Sequence, residues 1–242
     1  MAITKRRFAQ CRVDSTRTAV CRSINPAMAS SSPVLPAGFI EPCRPISAPC
    51  PPSGDLYVHE IQHDGLRVIA RKIGTQVNLY SGSGNDLTER FPLIVEAMAG
   101  LGARSCIIDG EAVACGDDGI ACFELIRRLD INGSVFMWAF DLIEVNGKDM
   151  RRDPLEMRKT ALRVLLGRAA AGVSFNKHIE GDGAILFDQA CKLGLEGIVS
   201  KAKGSRYIAG RSLHWIKSKN PRAPAVKREA EEEWDRLAAR DD

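Results

Sequence analysis

The chain has 242 residues of which 45% are hydrophobic, enough to bury a sizeable core in one large or two small domains. Its 34 basic residues nearly cancel 30 acidic ones, so the formal charge of +4 alone is a weak argument for a nucleic-acid partner. No apolar run approaches the ~20 residues a bilayer-spanning helix needs, and no membrane partner is expected.

Residues 1–38 are rich in Arg, Ser, Ala and Pro, hold a single acid, Asp14, and lack helical or strand periodicity, which predicts a disordered extension. A transit peptide has similar composition; a translation start at Met28 is the plainer expectation. Phe39–Cys43 and Ala48–Pro52 then form an extended, proline-stiffened approach, and the compact domain is expected to begin near residue 39. Leu56 to Gln62 reads as a strand, Asp64-Gly65 as a tight turn and Leu66 to Lys72 as a second strand. Gln76–Tyr80 alternates like a third, and Ser81–Asn85 is a glycine loop. A helix is predicted to open at Thr88, with Pro92 in its early turns and Gly100 ending it.

Ser105–Asp109, Ala112–Cys115, Val135–Ile143 and Gly197–Ser200 are further strand candidates, with turns at Asp118-Gly119 and Asn146-Gly147. One helix is predicted to open at Asp153 with Pro154 in its first position, and another spans roughly Ala184 to Leu193. Strands and helices in this irregular order predict an α+β fold with two largely antiparallel sheets. Residues 222–242 are expected to form a charged helical tail, and no internal repeat is visible. The eight cysteines (Cys11, Cys21, Cys43, Cys50, Cys106, Cys115, Cys122 and Cys191) show no zinc-site spacing, so reduced thiols in a cytoplasmic protein are expected.

Taken singly, the charged pieces on these strands are ordinary: Glu111 and Glu196 are strand-end acids, and Lys217 and Lys219 are strand lysines. Phe140, which alternates with Phe136 and Trp138, reads as part of a buried aromatic face. Their order is more specific. Glu60 with Asp64-Gly65 and Arg67, then Asp109-Gly-Glu111, Phe140-Asp141, Glu196-Gly-Ile-Val-Ser-Lys201 and Trp215-Ile-Lys-Ser-Lys219 resemble, in sequence, the nucleotidyltransferase motifs of ATP-dependent DNA ligases. Arg206-Tyr207 and Gly210-Arg-Ser212 resemble the bacterial type associated with end-joining repair. The resemblance covers about residue 39 to 221 and implies an ATP-grasp-like adenylation domain, two antiparallel sheets with flanking helices forming a groove for ATP.

It further implies that Glu60 accepts from the adenine amino group and that Phe140 stacks on the base. Arg67 would contact ribose and phosphate, and Lys217 and Lys219, two apart on one strand face, the phosphates. Lys201 is a weaker candidate for the same work. Glu111, which also counts among the nucleotide contacts, and Glu196 would hold Mg2+, a cation that favours oxygen ligands and uses one or two carboxylates. The implied partner is nicked duplex DNA, together with other end-joining proteins.

The chain departs from the pattern in three places. Gln62 stands where the family has its nucleophilic lysine, and an amide nitrogen whose lone pair is delocalised into its carbonyl cannot attack phosphorus. His63, next to it, is expected on the opposite strand face, and Lys72 a strand away. Gly82 replaces an arginine, and too few residues follow Lys219 for the oligonucleotide-binding (OB) barrel that normally comes next. The expected function is therefore DNA ligase chemistry in repair and recombination, impaired at self-adenylylation. A non-catalytic binder of ATP or nicked DNA is the alternative, and an RNA-capping or RNA-ligating relative a third.

Overall fold

The computed structural model describes residues 38–128, 133–167 and 171–228. The predicted N-terminal extension up to residue 37, and the tail beyond residue 228, lie outside the described residues. Eleven strands are described in chain order: β1 (Cys43–Ser47), β2 (Tyr57–Gln62), β3 (Leu66–Ile73), β4 (Gln76–Ser81), β5 (Ser105–Val113), β6 (Phe136–Val145), β7 (Lys148–Asp149), β8 (Val173–Phe175), β9 (His178–Glu180), β10 (Gly197–Ala202) and β11 (Gly210–Lys219). The helices are α1 (Pro92–Ala99), α2 (Phe123–Arg127), α3 (Leu155–Leu166) and α4 (Gly183–Lys192).

The strands form two largely antiparallel sheets flanked by helices, as the sequence predicts. One runs β1-β11-β10-β2-β9 and the other β4-β3-β5-β6-β7, with β8 beside β6. Only the β1–β11 and β6–β8 pairings are parallel among the described ladders. Both faces of the second sheet are buried. Along β3, Val68 and Ala70 join the core shared with α1 and α3, while Ile69 belongs to a smaller cluster with Phe140, Tyr207 and Trp215. The period-2 alternation thus builds two cores from one strand.

Several elements differ locally from expectation. The proline-stiffened approach contains a strand, β1, whose register with β11 shifts between Pro45 and Ile46; an edge position and an irregularity are where proline costs a sheet least. Thr88 does not cap a helix, because its hydroxyl accepts from the Leu79 amide at 3.0 Å. A 3-10 turn forms at Thr88–Arg90 instead, and α1 starts at Pro92. Pro154, with ψ of 150°, is the residue before α3 rather than its first member, and Asp153 pairs with Lys148 at 2.7 Å. Asp109-Gly-Glu111 does not separate two strands, as the strand candidates on either side of it implied, but lies within one, β5. A Cβ on Gly110 would come within 2.7 Å of the Met137 side chain and 2.8 Å of the Trp138 carbonyl, so glycine is needed there for close strand approach.

Candidate functional site

A cleft of about 370 Å³ is lined from both sheets, a size within the range of small-molecule pockets. Its floor follows from register. Across the first sheet, Gln62 of β2 lies opposite Gly197 of β10, which lies opposite Lys219 of β11; one row along, Glu60, Val199 and Lys217 are aligned in the same way, and Lys201 faces Trp215. Directly opposed residues in an antiparallel sheet share a face, so these scattered motifs come together on one surface. The second sheet contributes Arg67, opposite Glu111 on β5, and Phe140.

Phe140 reaches the cleft through an irregularity. The β5–β6 register passes from Ala139 opposite Gly110 to Asp141 opposite Asp109, which leaves Phe140 with no opposite residue. Such a bulge re-aims a side chain, and bulges recur beside functional sites. The Phe140 ring is 4.5 Å from the Arg67 guanidinium carbon and 4.5 Å from Lys201 Nζ, both in cation–π range. Lys201 Nζ also lies 3.9 Å from the centre of a Trp215 ring.

Glu60 is buried at this end of the cleft. Lys159 of α3 donates to its Oε1 at 2.6 Å, Lys201 to its Oε2 at 2.9 Å, and the Asn176 amide to Oε2 at 3.3 Å. Burial pushes the Glu60 carboxyl up, but Lys159 and then Lys201 outweigh it and hold it below the ordinary carboxylate range. Burial lowers the Lys201 ammonium to about 8, despite Glu60, with Lys159 adding to the fall. Three donors on Glu60 leave room for one more contact at Oε1, since a carboxylate offers about four acceptor sites.

Arg67 is fixed by Asp109, which is fully buried: Nε donates to Oδ1 at 2.6 Å and an η nitrogen to Oδ2 at 2.7 Å. Tyr207 donates to the same Oδ2 at 2.6 Å and accepts from the Cys43 amide at 2.9 Å. This bidentate pair presents Arg67 to the cleft as a positioned group rather than a mobile charge.

Glu111 and Glu196 face the same space from opposite sheets. Burial, against the pull of Arg67, and then repulsion from Glu196 and Asp109 raise the Glu111 carboxyl to about 8. A carboxylate whose proton affinity is raised in part by a neighbouring carboxylate suits a divalent cation. No group of three or more His, Cys, Asp or Glu side chains is placed to hold a metal ion among the described residues. Two carboxylates fit Mg2+, which keeps several waters, better than a metal that needs a full protein cage. Lys219 Nζ is 3.6 Å from Glu196 Oε1, and Lys217 lines the cleft.

Gln62 ends β2 inside the cleft, and its amide nitrogen donates to Glu196 Oε1. That bond fixes the amide orientation, because an ionised carboxylate can only accept. Its own Oε1 is buried without a hydrogen-bond partner, as is the indole N–H of Trp215, which is 1% exposed. One unmet acceptor and one unmet donor among the lining residues are what a polar ligand such as a nucleotide would satisfy. His63 also lines the cleft, because β2 has already ended at Gln62 and strand alternation no longer applies. It stacks on Trp138 with ring centres 5.1 Å apart and shares a 3.2 Å hydrogen bond with Asn176. Lys72 is remote, donating to the Ala99 and Leu101 carbonyls at the end of α1.

Among the residues named from sequence, Glu60, Gln62, Arg67, Glu111, Phe140, Glu196, Lys201 and Lys217 line the cleft, and Lys219 reaches it through Glu196. Sequence reasoning missed Lys159, Asn176, Asp109 as the partner of Arg67, and Arg228. Lys159 had a legible signal. The buried stripe of α3 is Leu155, Arg158, Lys159, Leu162 and Leu166, so two cations occupy core positions of an amphipathic helix and require buried acids. Arg158 finds Asp141, with both side chains fully buried, and Lys159 finds Glu60.

Residues 41–219 match the family model described as ATP dependent DNA ligase domain. The multifunctional non-homologous end joining protein LigD of Pseudomonas aeruginosa is 36% identical over 173 residues, 70% of this chain and 20% of that protein. Thus the chain spans about a fifth of the length of this relative. Among solved structures, a mycobacterial DNA ligase D complexed with ATP and MES has 27% identity and a TM-score of 0.64, covering 74% of this chain and 60% of that one. The ligase domain of Mycobacterium tuberculosis LigD has 28% identity and the same TM-score and coverage.

Proposed function

The chain belongs to the ATP-dependent DNA ligase domain family, and from that premise we propose that it serves DNA end-joining repair and recombination in the cytoplasm as a nucleotide- and nick-binding module whose self-adenylylation is stopped at Gln62. The observation that carries this reading is the placement of Gln62: it ends β2 within the cleft and is bonded to Glu196. In a ligase of this family a lysine amine at that place attacks the α-phosphorus of ATP, AMP passes to the 5′-phosphate of a nick, and the 3′-hydroxyl displaces AMP. Gln62 can hold Glu196 and accept a hydrogen bond through its oxygen, but its amide nitrogen has no free lone pair to give to phosphorus.

The rest of the cleft supports binding. Phe140 offers a ring for the base and Glu60 one remaining acceptor site for an amino group. Arg67 and Lys217 bring positive charge, and Lys219 approaches from Glu196. Glu111 and Glu196 would hold Mg2+, which when bound neutralises phosphate charge. That the P. aeruginosa relative is named for end joining, and the mycobacterial neighbour was solved with ATP, supports the same substrates here.

Calorimetry with ATP and Mg2+, run beside a nick-sealing assay, tests the proposal. Heat of binding with no sealed product is the expected result. Absence of binding at millimolar ATP would overturn the nucleotide reading, and sealing by the unmodified protein would overturn the block at Gln62.

A further inference from the structure

Arg228 lies beyond every motif that the family resemblance names, yet it lines the cleft alongside Gln62, Glu111 and Lys217. We propose that Arg228 is the residue by which this cleft distinguishes phosphorylated nucleotides from a bare nucleoside, an assignment that rests on the nucleotide reading above. The backbone after β11 carries it there. Asn220 donates its amide to the Glu196 carbonyl at 2.8 Å and its side chain to Leu195 O at 3.0 Å, so the chain is fastened beside the cleft as it leaves the sheet. Ala223 and Ala225 are then buried, and residues 224–228 are helical, which brings Arg228 to the cleft.

The guanidinium is held at the mouth of the cleft rather than in bulk solvent. One η nitrogen donates to Asp64 Oδ1 at 2.7 Å and the other to Oδ2 at 3.3 Å. Its carbon stands 5.0 Å from the centre of the Phe123 ring, and Nε is 3.8 Å from a Glu124 oxygen. Asp64 is two residues past Gln62, so the cation is anchored next to the position at which the family carries out its phosphorus chemistry. Arg228 therefore brings positive charge from a wall that Lys217 and Lys219 do not occupy.

The pair with Asp64 is open to exchange: its side chains are 21% and 15% exposed, so a ligand in the cleft can reach the arginine fork and compete for it. A nucleotide's phosphates offer more negative charge and the bidentate geometry that an arginine fork matches. Asp64 would not be stranded by the exchange, because the Phe123 amide also donates to it at 3.1 Å. Arg228 also makes up for a cation absent elsewhere: Gly82 sits beside Arg67, where the ligase pattern has an arginine.

The test is calorimetric titration of the full chain with Mg2+ and, in turn, ATP, AMP and adenosine. Arg228→Ala should lower ATP affinity by about tenfold or more, the scale of one lost charge-assisted contact, lower AMP affinity less, and leave adenosine within about twofold. Arg228→Lys, which keeps the charge and loses the planar fork, should show a smaller loss for ATP and none for adenosine; it decides the matter if the alanine protein does not fold. Equal loss for ATP and adenosine would mean that Arg228 only fastens the helical segment that carries it, and an unchanged ATP affinity would mean that it does not meet the phosphates. Either result overturns the proposal while leaving nucleotide binding intact. If the unmodified protein bound neither ATP nor adenosine, the nucleotide reading itself would fall and this assignment with it.

Discussion

At the scale of single residues, Glu60 is where the structure and the proposed nucleotide recognition depend on the same atoms. Glu60→Gln would leave Lys159 and Lys201 buried without their counter-charge, a change that typically costs ~3–5 kcal/mol. For a domain of this size that is a fall in Tm of roughly 6–20 °C, measurable by calorimetry. The penalty should depend on pH. The folded Glu60 carboxyl is held below its ordinary value of 4.5, so its contribution is complete above about that pH and is lost as acid protonates it in the folded state. The gap between unmodified and Glu60→Gln proteins should therefore be full at neutral pH and shrink below pH 4.5; a gap that widened in acid would contradict the assignment. Position 82 gives a second expectation. A Cβ on Gly82 would meet nothing closer than 3.6 Å, and the residue is not in the left-handed region, so an arginine can be seated there. Gln62→Lys should give slow self-adenylylation, and adding Gly82→Arg should speed it, a formed charge-assisted contact contributing ~1.5–3 kcal/mol. Gly82→Arg alone should give no label, because no nucleophile is present.

At the scale of elements, strand pairing explains what the sequence disclosed and what it hid. Motif order was legible because each motif is local: Asp64-Gly65 marks the β2–β3 turn, and Lys217 and Lys219 share a strand face. The rows that join them, such as Gln62 with Gly197 and Lys219, depend on register between strands far apart in the chain, which no local pattern encodes. The bulge that aims Phe140 was equally invisible. So was the role of Gly110, which resembles a turn glycine but is needed where β5 and β6 approach closely. Gly110→Ala should force those strands apart and cost ~1–3 kcal/mol as an overpacking substitution. Thermal denaturation measures it; an unchanged Tm would show that Met137 gives way without loss. Lys159 lies between these cases, since a cation on the buried stripe of α3 announces a buried acid but does not say which one.

At the scale of the whole molecule, the two sheets enclose a cleft in which the ligase motifs are assembled with their charges balanced, while the residue at the nucleophile's place is an amide. The central proposal is that this cleft binds ATP without forming a bond to it. The most direct measurement is retention of ATP labelled on its α-phosphate, after incubation with the protein and Mg2+, on the protein before and after denaturation in neutral detergent, which spares the acid-labile phosphorus–nitrogen bond of a lysine adduct. Label carried by the native protein and lost on denaturation is expected, because the complex is held only by non-covalent contacts. Detergent-stable label at or near one AMP per chain would contradict this, since some side chain other than Gln62 would then be acting as the nucleophile.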